Sequence, residues 1–180
     1  MPDFTELVDL RALMVQCEAE ARALSRMLHP SDDRPQRLTF AQLPGLALVG
    51  APGEVRSAIS NVVNNAVRYT PTGGAIDVRW HILPGGGARL DVTDTGTGIP
   101  PEHLSRLGER FYRVDRSRSR ESGGTGLGLA ITKHVVQRHG GELQISSALG
   151  QGSCFSLLFP AQRVRLPIDA AAAEQEPARS

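Results

Sequence analysis

The stretch SAISNVVNNAVRYTP at residues 57–71 decides how the rest of the chain is organised. Apolar side chains recur in it and just before it at the spacing i, i+3, i+4, i+7 and i+8, which places them on one face of an α-helix. We expect that face to pack into the hydrophobic core. Its members are Val55, Ala58, Ile59, Val62, Val63, Ala66 and Val67.

The opposite face of this helix carries polar side chains. Asn61 and Asn65 lie one turn apart, and Arg68 and Tyr69 follow at the far end. Amide side chains are unfavourable in the middle of a helix, because they compete for backbone hydrogen bonds. Asparagines in these positions indicate either a solvated face or a face directed at a ligand, and the helix alone does not decide between the two.

The composition bounds the class of protein. The chain has 180 residues, enough for one domain with a sizeable core, and its net charge of +1 gives no overall field that favours nucleic acid or an anionic membrane. The longest apolar runs are far shorter than the roughly 20 residues that span a bilayer. Cys17 and Cys154 lack the spacing of a zinc or redox motif, so we expect two reduced thiols in a cytoplasmic protein.

The order of helical and alternating patterns predicts the fold class. We expect a first helix over 5–28, a second over the stretch quoted above, and a third that begins within GGTGLGL at 123–129 and ends at Gly140 and Gly141. Alternating residues predict strands at 37–41, 46–49, 76–82, 89–93, 143–147 and 154–159. This order predicts an α+β fold, a two-layer sandwich in which about three helices cover one face of a mixed, mostly antiparallel sheet. We expect residues 1–161 to form the domain and residues 162–180 a disordered tail.

Glycines at the start of the third helix indicate a possible phosphate site. Gly124, Gly126 and Gly128 would let a phosphate approach bare backbone amides at a helix N-terminus. The same pattern is also typical of a purely structural glycine turn. It lacks the Lys-Ser or Lys-Thr of a Walker loop, and an Arg-rich segment precedes it where a dinucleotide-binding fold has a strand.

Four motifs in a fixed order are more specific than any one of them. They are Asn61-x-x-x-Asn65, Asp94-x-Gly96-x-Gly98, Phe111 and Gly124-x-Gly126-x-Gly128. This order resembles the ATP-binding catalytic domain of bacterial sensor histidine kinases, with its N, G1, F and G2 boxes. The resemblance covers nearly the whole chain and implies a Bergerat-type ATP-binding fold with an ATP lid at about 109–124. Within the family, it is nearest to the sensors of phosphate-starvation signalling.

The resemblance implies a role for each matching residue of the Asn-bearing helix. Asn65 would bind Mg²⁺ through its side-chain oxygen, and Asn61 would lie beside the same ion as a catalytic residue. Arg68 would reach the phosphates of ATP, and Tyr69 would pack on the adenine ring. Asp94 would accept a hydrogen bond from the adenine amino group.

The remaining nucleotide-binding residues are implied in the same way. Three of them, Gly96, Gly98 and Ile99, belong to the turn under the base, and Phe111 would anchor one end of the lid. Three arginines of the lid would hold the γ-phosphate, namely Arg113, Arg116 and Arg118. Two of these, Arg113 and Arg118, would be catalytic residues. Backbone amides would come from Gly124, Thr125, Gly126, Leu127 and Gly128.

Structural alternatives stand beside these roles. Asp94 could simply form a turn, Tyr69 could be a core residue at a helix end, and Phe111 could belong to the core. The lid arginines could be a solvated charge run.

The expected partners lie outside this sequence. Kinases of this family phosphorylate a histidine followed by an acidic residue, and none of the five histidines here has that context. The resemblance therefore implies a separate dimerisation and histidine-phosphotransfer domain of the same receptor, and a response regulator. It also implies that this piece is the cytoplasmic portion of an inner-membrane receptor and has no direct membrane contact of its own.

Two other functions compete with the kinase interpretation. The first is an ATP-hydrolysing conformational switch of the gyrase or chaperone type, whose members carry a Glu where this chain has Asn61. Because an amide cannot accept the proton of an attacking water, this residue favours the kinase. The second is a non-catalytic adaptor that binds nucleotide, which the intact motifs argue against.

Overall fold

The computed structural model describes residues 6–30, 33–41, 43, 45–96, 127–148 and 150–166. The described residues form three α-helices and eight strands. In chain order they are β1 (Glu6–Asp9), α1 (Leu10–Leu28), β2 (Arg37–Phe40), β3 (Ala47–Gly50), α2 (Pro52–Tyr69), β4 (Ala75–Ile82), β5 (Ala88–Asp94), α3 (Leu127–Arg138), β6 (Glu142–Ala148), β7 (Gly152–Phe159), a 3₁₀ turn (Ala161–Arg163) and β8 (Val164–Arg165). The predicted lid at 109–124 lies outside the described residues.

The strands form two sheets. The larger has the order β2-β4-β5-β7-β6, and the smaller has the order β1-β3-β8. Every neighbouring pair is antiparallel except β2 and β4, so the larger sheet is mixed and mostly antiparallel, as predicted. Its register places Asp94 of β5 between Ile76 of β4 and Ser153 of β7.

Helix α2 is the centre of the helical layer, because it packs against both α1 and α3. All seven apolar residues predicted for its inner face are buried, so the helical periodicity is confirmed. They meet buried side chains that alternate along β4, β5 and β7, among them Val78, Val92 and Phe155, which are cross-strand neighbours. Pro52 occupies the first turn of α2, where its missing N–H has no helical partner to lose.

The first helix begins later than predicted. It starts at Leu10, and Glu6–Asp9 forms β1 instead of a first helical turn, with Val8 buried. The carboxylate of Asp9 accepts hydrogen bonds from the backbone N–H groups of Arg11 (3.1 Å) and Ala12 (3.2 Å), which caps the helix. Antiparallel pairing with β3 gives the preceding residues other backbone partners, so tertiary pairing overrides their helical pattern.

The folded part also extends further than predicted at its end. Val164–Arg165 forms β8, which pairs with β3, and Arg163 donates to the carbonyl of Val49 at 3.3 Å. The expectation of a tail from residue 162 is therefore wrong for 162–165. The strand is too short to be recognised without its partner. Residues 167–180 lie outside the described part.

Cys17 and Cys154 are both free, as predicted. Cys17 is buried between α1 and α2, where its Sγ lies 3.4 Å from Oγ of Ser60, and burial raises the pKa of its thiol. Among the described helices, none combines the length and the apolar character needed to cross a membrane.

Candidate functional site

The polar face of α2 meets the first turn of α3. Asn61 is half-buried, and its Nδ2 donates a long hydrogen bond of 3.4 Å to the carbonyl oxygen of Gly128. A Cβ placed on Gly128 would lie 3.4 Å from Cγ of Asn61, at ordinary van der Waals distance, so the two residues pack directly against each other. The alternative of a fully solvated face is therefore wrong for Asn61.

A second contact fixes the same two helices. The hydroxyl of Thr132, which is fully buried, donates to the carbonyl of Ala58 at 2.9 Å. Thr132 lies one turn after Gly128, and Ala58 lies almost one turn before Asn61. Together these contacts hold the N-terminal turn of α3, whose first amides have no partner within the helix, beside the polar face of α2. Such a helix end is suited to an anion.

The C-terminal end of α2 carries a buried polar atom that has no hydrogen-bond partner within the described part of the chain. Nε of Arg68 is buried and has no hydrogen-bond partner among the residues described, and the same holds for Oγ1 of Thr70. Leaving a charged donor buried and unpaired is costly. The orphaned Nε is therefore consistent with an anionic ligand near Arg68. Tyr69, the last residue of the helix, is half-buried.

Asp94 forms a turn at the end of β5. Its Oδ1 accepts a hydrogen bond of 2.9 Å from the backbone N–H of Gly96, so the turn-forming role proposed as an alternative is confirmed. Burial raises the pKa of the Asp94 carboxyl above its ordinary value of 3.8, and the backbone N–H groups of Gly96 and Ser153 offset part of that rise. A half-buried carboxylate with this environment is a candidate hydrogen-bond acceptor for a ligand.

Gly96 brings this turn against the end of α2. A Cβ at Gly96 would lie 2.8 Å from the carbonyl oxygen of Tyr69 and 2.9 Å from Oδ1 of Asp94, which is closer than real Cβ atoms approach. Only glycine lets the two segments come this near. The structure thus brings together two motifs, one from α2 and one from the end of β5, that are separated by strand β4 in the sequence.

Sequence reasoning missed the contribution of β7. Gly152 has φ of +115°, and a Cβ there would overlap the carbonyl oxygen of Asp94. Ser153 is buried, its N–H reaches the Asp94 carboxylate, and its hydroxyl lies 3.0 Å from that of Ser147. The GQG at 150–152 predicted a hairpin turn, but nothing in it predicted that β7 would pair with β5.

Part of the predicted site lies outside the described residues. Asn61, Asn65, Arg68, Tyr69, Asp94, Gly96 and Gly128 are described, and so is the backbone of Leu127 at the start of α3. The residues of the predicted site that lie outside the described part are Gly98, Ile99, Phe111, Arg113, Arg116, Arg118, Gly124, Thr125 and Gly126. Their roles stay predictions.

Comparisons with known proteins agree with this geometry. The model of the family described as "Histidine kinase-, DNA gyrase B-, and HSP90-like ATPase" matches residues 50–163. The phosphate regulon sensor protein PhoR of Pseudomonas aeruginosa is 48% identical over 162 residues, which are 89% of this chain and 35% of that protein. The chain thus spans about a third of the length of this curated relative.

Solved structures show the same fold. A mycobacterial sensor histidine kinase, MprB, superposes with a TM-score of 0.73 at 30% identity, and the match covers 90% of this chain and 100% of that one. Full-length ShkA in complex with AMPPNP has a TM-score of 0.67 at 29% identity, with coverages of 87% and 31%. The predicted resemblance to sensor histidine kinase domains and the predicted fold class are confirmed. Because the family model matches well over half of the chain, this protein belongs to the histidine kinase-, DNA gyrase B- and HSP90-like ATPase family.

Proposed function

We propose that this chain is the catalytic domain of a two-component sensor histidine kinase, which binds ATP and transfers its γ-phosphate to a histidine of a separate dimerisation domain. The observation that carries the proposal is the side-chain amide of Asn61, which contacts the carbonyl of Gly128. ATP-hydrolysing proteins with the same motifs have a Glu at this position. An amide cannot take a proton from an attacking water. The site therefore favours transfer to a protein acceptor over hydrolysis.

The end of β5 would select the base. The Asp94 carboxylate accepts a hydrogen bond from the amino group of adenine, while its Oδ1 also holds the turn through Gly96. Tyr69 packs against the ring, since the close approach at Gly96 places the helix end beside that turn. Guanine presents a carbonyl oxygen where adenine has its amino group, so the same carboxylate rejects it.

The phosphates would lie between α2 and the start of α3. Nε of Arg68, which has no partner among the described residues, and the amides of the first turn of α3 supply donors for anionic oxygens. Asn61 and Asn65 lie one turn apart on the half-buried polar face of α2, and amide oxygens are among the hard ligands that Mg²⁺ takes beside its retained waters when it binds phosphates. Asn65 would hold the ion, with Asn61 beside it. When bound, the ion would neutralise phosphate charge.

Positioning and charge account for most of the catalysis of phosphoryl transfer, so a strong base is not required at this site. Arg113 and Arg118 remain the proposed catalytic arginines, and Arg116 and Phe111 the other lid residues. The partners are the dimerisation and histidine-phosphotransfer domain of the same receptor and a response regulator. The name of the relative from P. aeruginosa supports a place in the phosphate regulon, with this domain on the cytoplasmic side of an inner-membrane receptor.

A transfer assay tests the proposal. The purified chain is incubated with Mg²⁺ and γ-labelled ATP, with and without a separately produced helical-hairpin acceptor domain from a PhoR-type kinase. We expect acid-labile label on the acceptor domain, none on this chain, and slow release of free phosphate. Rapid release of phosphate in the absence of the acceptor would instead assign the chain to the ATP-hydrolysing switches.

A further inference from the structure

Gln36 lies outside every motif of the sequence, yet among the residues that the structure describes it is one of six buried polar ones, with 7% of its surface exposed. Its Nε2 donates to two backbone carbonyls near the end of α2, those of Val67 at 2.9 Å and Thr70 at 2.5 Å. Its Oε1 accepts a hydrogen bond of 2.8 Å from the hydroxyl of Ser25 in α1. Both ends of the amide are thus engaged.

The orientation of this amide follows from its partners. Carbonyl oxygens only accept, so the nitrogen of Gln36 must face Val67 and Thr70, and the oxygen must face Ser25. Gln36 is itself held in place, because the next residue, Arg37, donates its N–H to the carbonyl of Gly74 at 2.9 Å. From Arg37 onward the chain pairs with β4. The donor group therefore projects from a fixed point of the sheet.

The end of α2 needs such a donor. The last carbonyls of a helix have no partner within it, and a glycine after the helix commonly supplies the missing N–H groups. Here the cap residue is Thr70 in an extended conformation, and Pro71, which has no N–H, follows it. One side-chain amide thus replaces a backbone cap, and removing it would leave two carbonyls buried without this donor.

The carbonyl end of α2 is also one wall of the candidate site. Tyr69 lies between Val67 and Thr70 in the sequence, and its carbonyl oxygen is the atom that a Cβ at Gly96 would meet at 2.8 Å. A small displacement of this end would change the distance between Tyr69 and the Asp94 turn. Preorganised spacing of this kind determines how much binding energy a ligand recovers.

We infer that Gln36 is a positioning residue for nucleotide binding: by holding the Val67 and Thr70 carbonyls, it sets the end of α2 against the Asp94–Gly96 turn. It touches no nucleotide atom and acts through the helix end. The inference rests on the proposed nucleotide site. It also ties that site to α1, since Ser25 holds the other side of the amide.

Two variants test this. Gln36→Met keeps the length of the side chain and removes both N–H donors, and we expect the Kd for Mg²⁺-ATP, measured by calorimetric titration, to rise about tenfold. Ser25→Ala removes the hydroxyl that donates to Oε1 of Gln36 but leaves the Nε2 donors that hold the Val67 and Thr70 carbonyls. We expect its Kd to lie within about threefold of wild type.

A stability control separates positioning from general loss of structure. Val8→Ala shortens a buried side chain of β1 in the smaller sheet, and it should lower the melting temperature without changing the Kd of the folded molecules. A Kd for Gln36→Met that equals wild type would overturn the inference, as would a Kd for Ser25→Ala as weak as that of Gln36→Met. Failure of wild type itself to bind ATP would remove the proposed function and this inference with it.

Discussion

Asn61 of α2 and Gly128 of α3 lie in contact although 67 positions separate them, with Nδ2 of Asn61 3.4 Å from the Gly128 carbonyl oxygen. A Cβ at Gly128 would lie 3.4 Å from Cγ of Asn61, which is an ordinary van der Waals contact. The contact joins two motifs of the nucleotide site. It also leaves space for one methyl group beside the asparagine.

Gly128→Ala should therefore separate stability from binding. Alanine raises the helix propensity of α3 by about 1 kcal/mol, which opposes any cost of crowding, so the melting temperature should stay equal or rise. Because the added methyl group would contact the side chain of Asn61 without displacing it, the Kd for Mg²⁺-ATP should stay within about twofold of wild type. Gly53→Ala is the matched control, because it lies in the first turn of α2 and a Cβ there meets nothing within 4 Å. A loss of ATP affinity of about tenfold or more in Gly128→Ala that is absent from Gly53→Ala would contradict this expectation and show that the Asn61–Gly128 contact tolerates no side chain.

Arg68 should contribute to affinity through the phosphates. We expect Arg68→Met to weaken ATP binding by about tenfold or more, since charge-assisted hydrogen bonds to an anion are lost, and to change adenosine binding little. Competition of ATP and of adenosine against a fluorescent nucleotide measures both. The same fractional loss for both ligands would show that Arg68 acts by packing and not by contact with phosphate.

The pH dependence of binding should follow Asp94. Burial raises the pKa of its carboxyl above 3.8, so the group begins to gain a proton at a higher pH than an exposed aspartate does. The protonated carboxyl contributes to folding stability below pH 3.8, and this contribution is lost as the pH rises through the raised pKa of Asp94. Nucleotide binding, in contrast, needs the ionised carboxylate. The ratio of ATP affinities of wild type and Asp94→Asn should therefore fall as the pH is lowered from about 7 toward 4.5. A ratio that does not change with pH would exclude ionised Asp94 as the acceptor.

His139 should make the fold itself sensitive to acid. It is fully buried, its Nδ1 lies 2.8 Å from the Val135 carbonyl, and its Nε2 accepts from the N–H of Ala51 at 3.1 Å, which requires the neutral ring. Burial lowers the pKa of His139 below 6.5. Below pH 6.5 the unfolded chain therefore binds a proton at this histidine that the folded chain does not, and the free energy of unfolding decreases as the pH is lowered.

His139→Gln provides the comparison, because an amide can donate to Val135 and accept from Ala51 without titrating. Urea denaturation at pH 7.5 and 5.5 should show a smaller loss of stability in His139→Gln than in wild type. His134→Gln, on the exposed face of α3, is the control. Identical pH slopes in wild type and His139→Gln would rule out the buried ring as the source.

The features that could be predicted from the sequence are the local ones. The seven buried residues of α2 follow from a period of 3.6, and the order of motifs identifies the family. The features that were missed depend on pairing between distant segments. Residues 6–9 become a strand only because β3 lies beside them, and Ser153 reaches Asp94 only because β7 pairs with β5. Gln36 carries no pattern of its own, since its partners are backbone carbonyls of another element.

Recognition of the adenine base by the Asp94 carboxylate is tested most directly by one measurement. Wild type and Asp94→Asn are titrated calorimetrically at pH 7 with ATP and with GTP in the presence of Mg²⁺. We predict that wild type binds ATP and discriminates against GTP by up to roughly 10⁴, because the carboxylate would face a carbonyl oxygen of guanine with no proton between them. Asp94→Asn should lose most of the affinity for ATP and most of this discrimination. If wild type bound GTP as tightly as ATP, or if Asp94→Asn bound ATP as tightly as wild type, Asp94 would not recognise the adenine base and the proposed nucleotide site would be wrong.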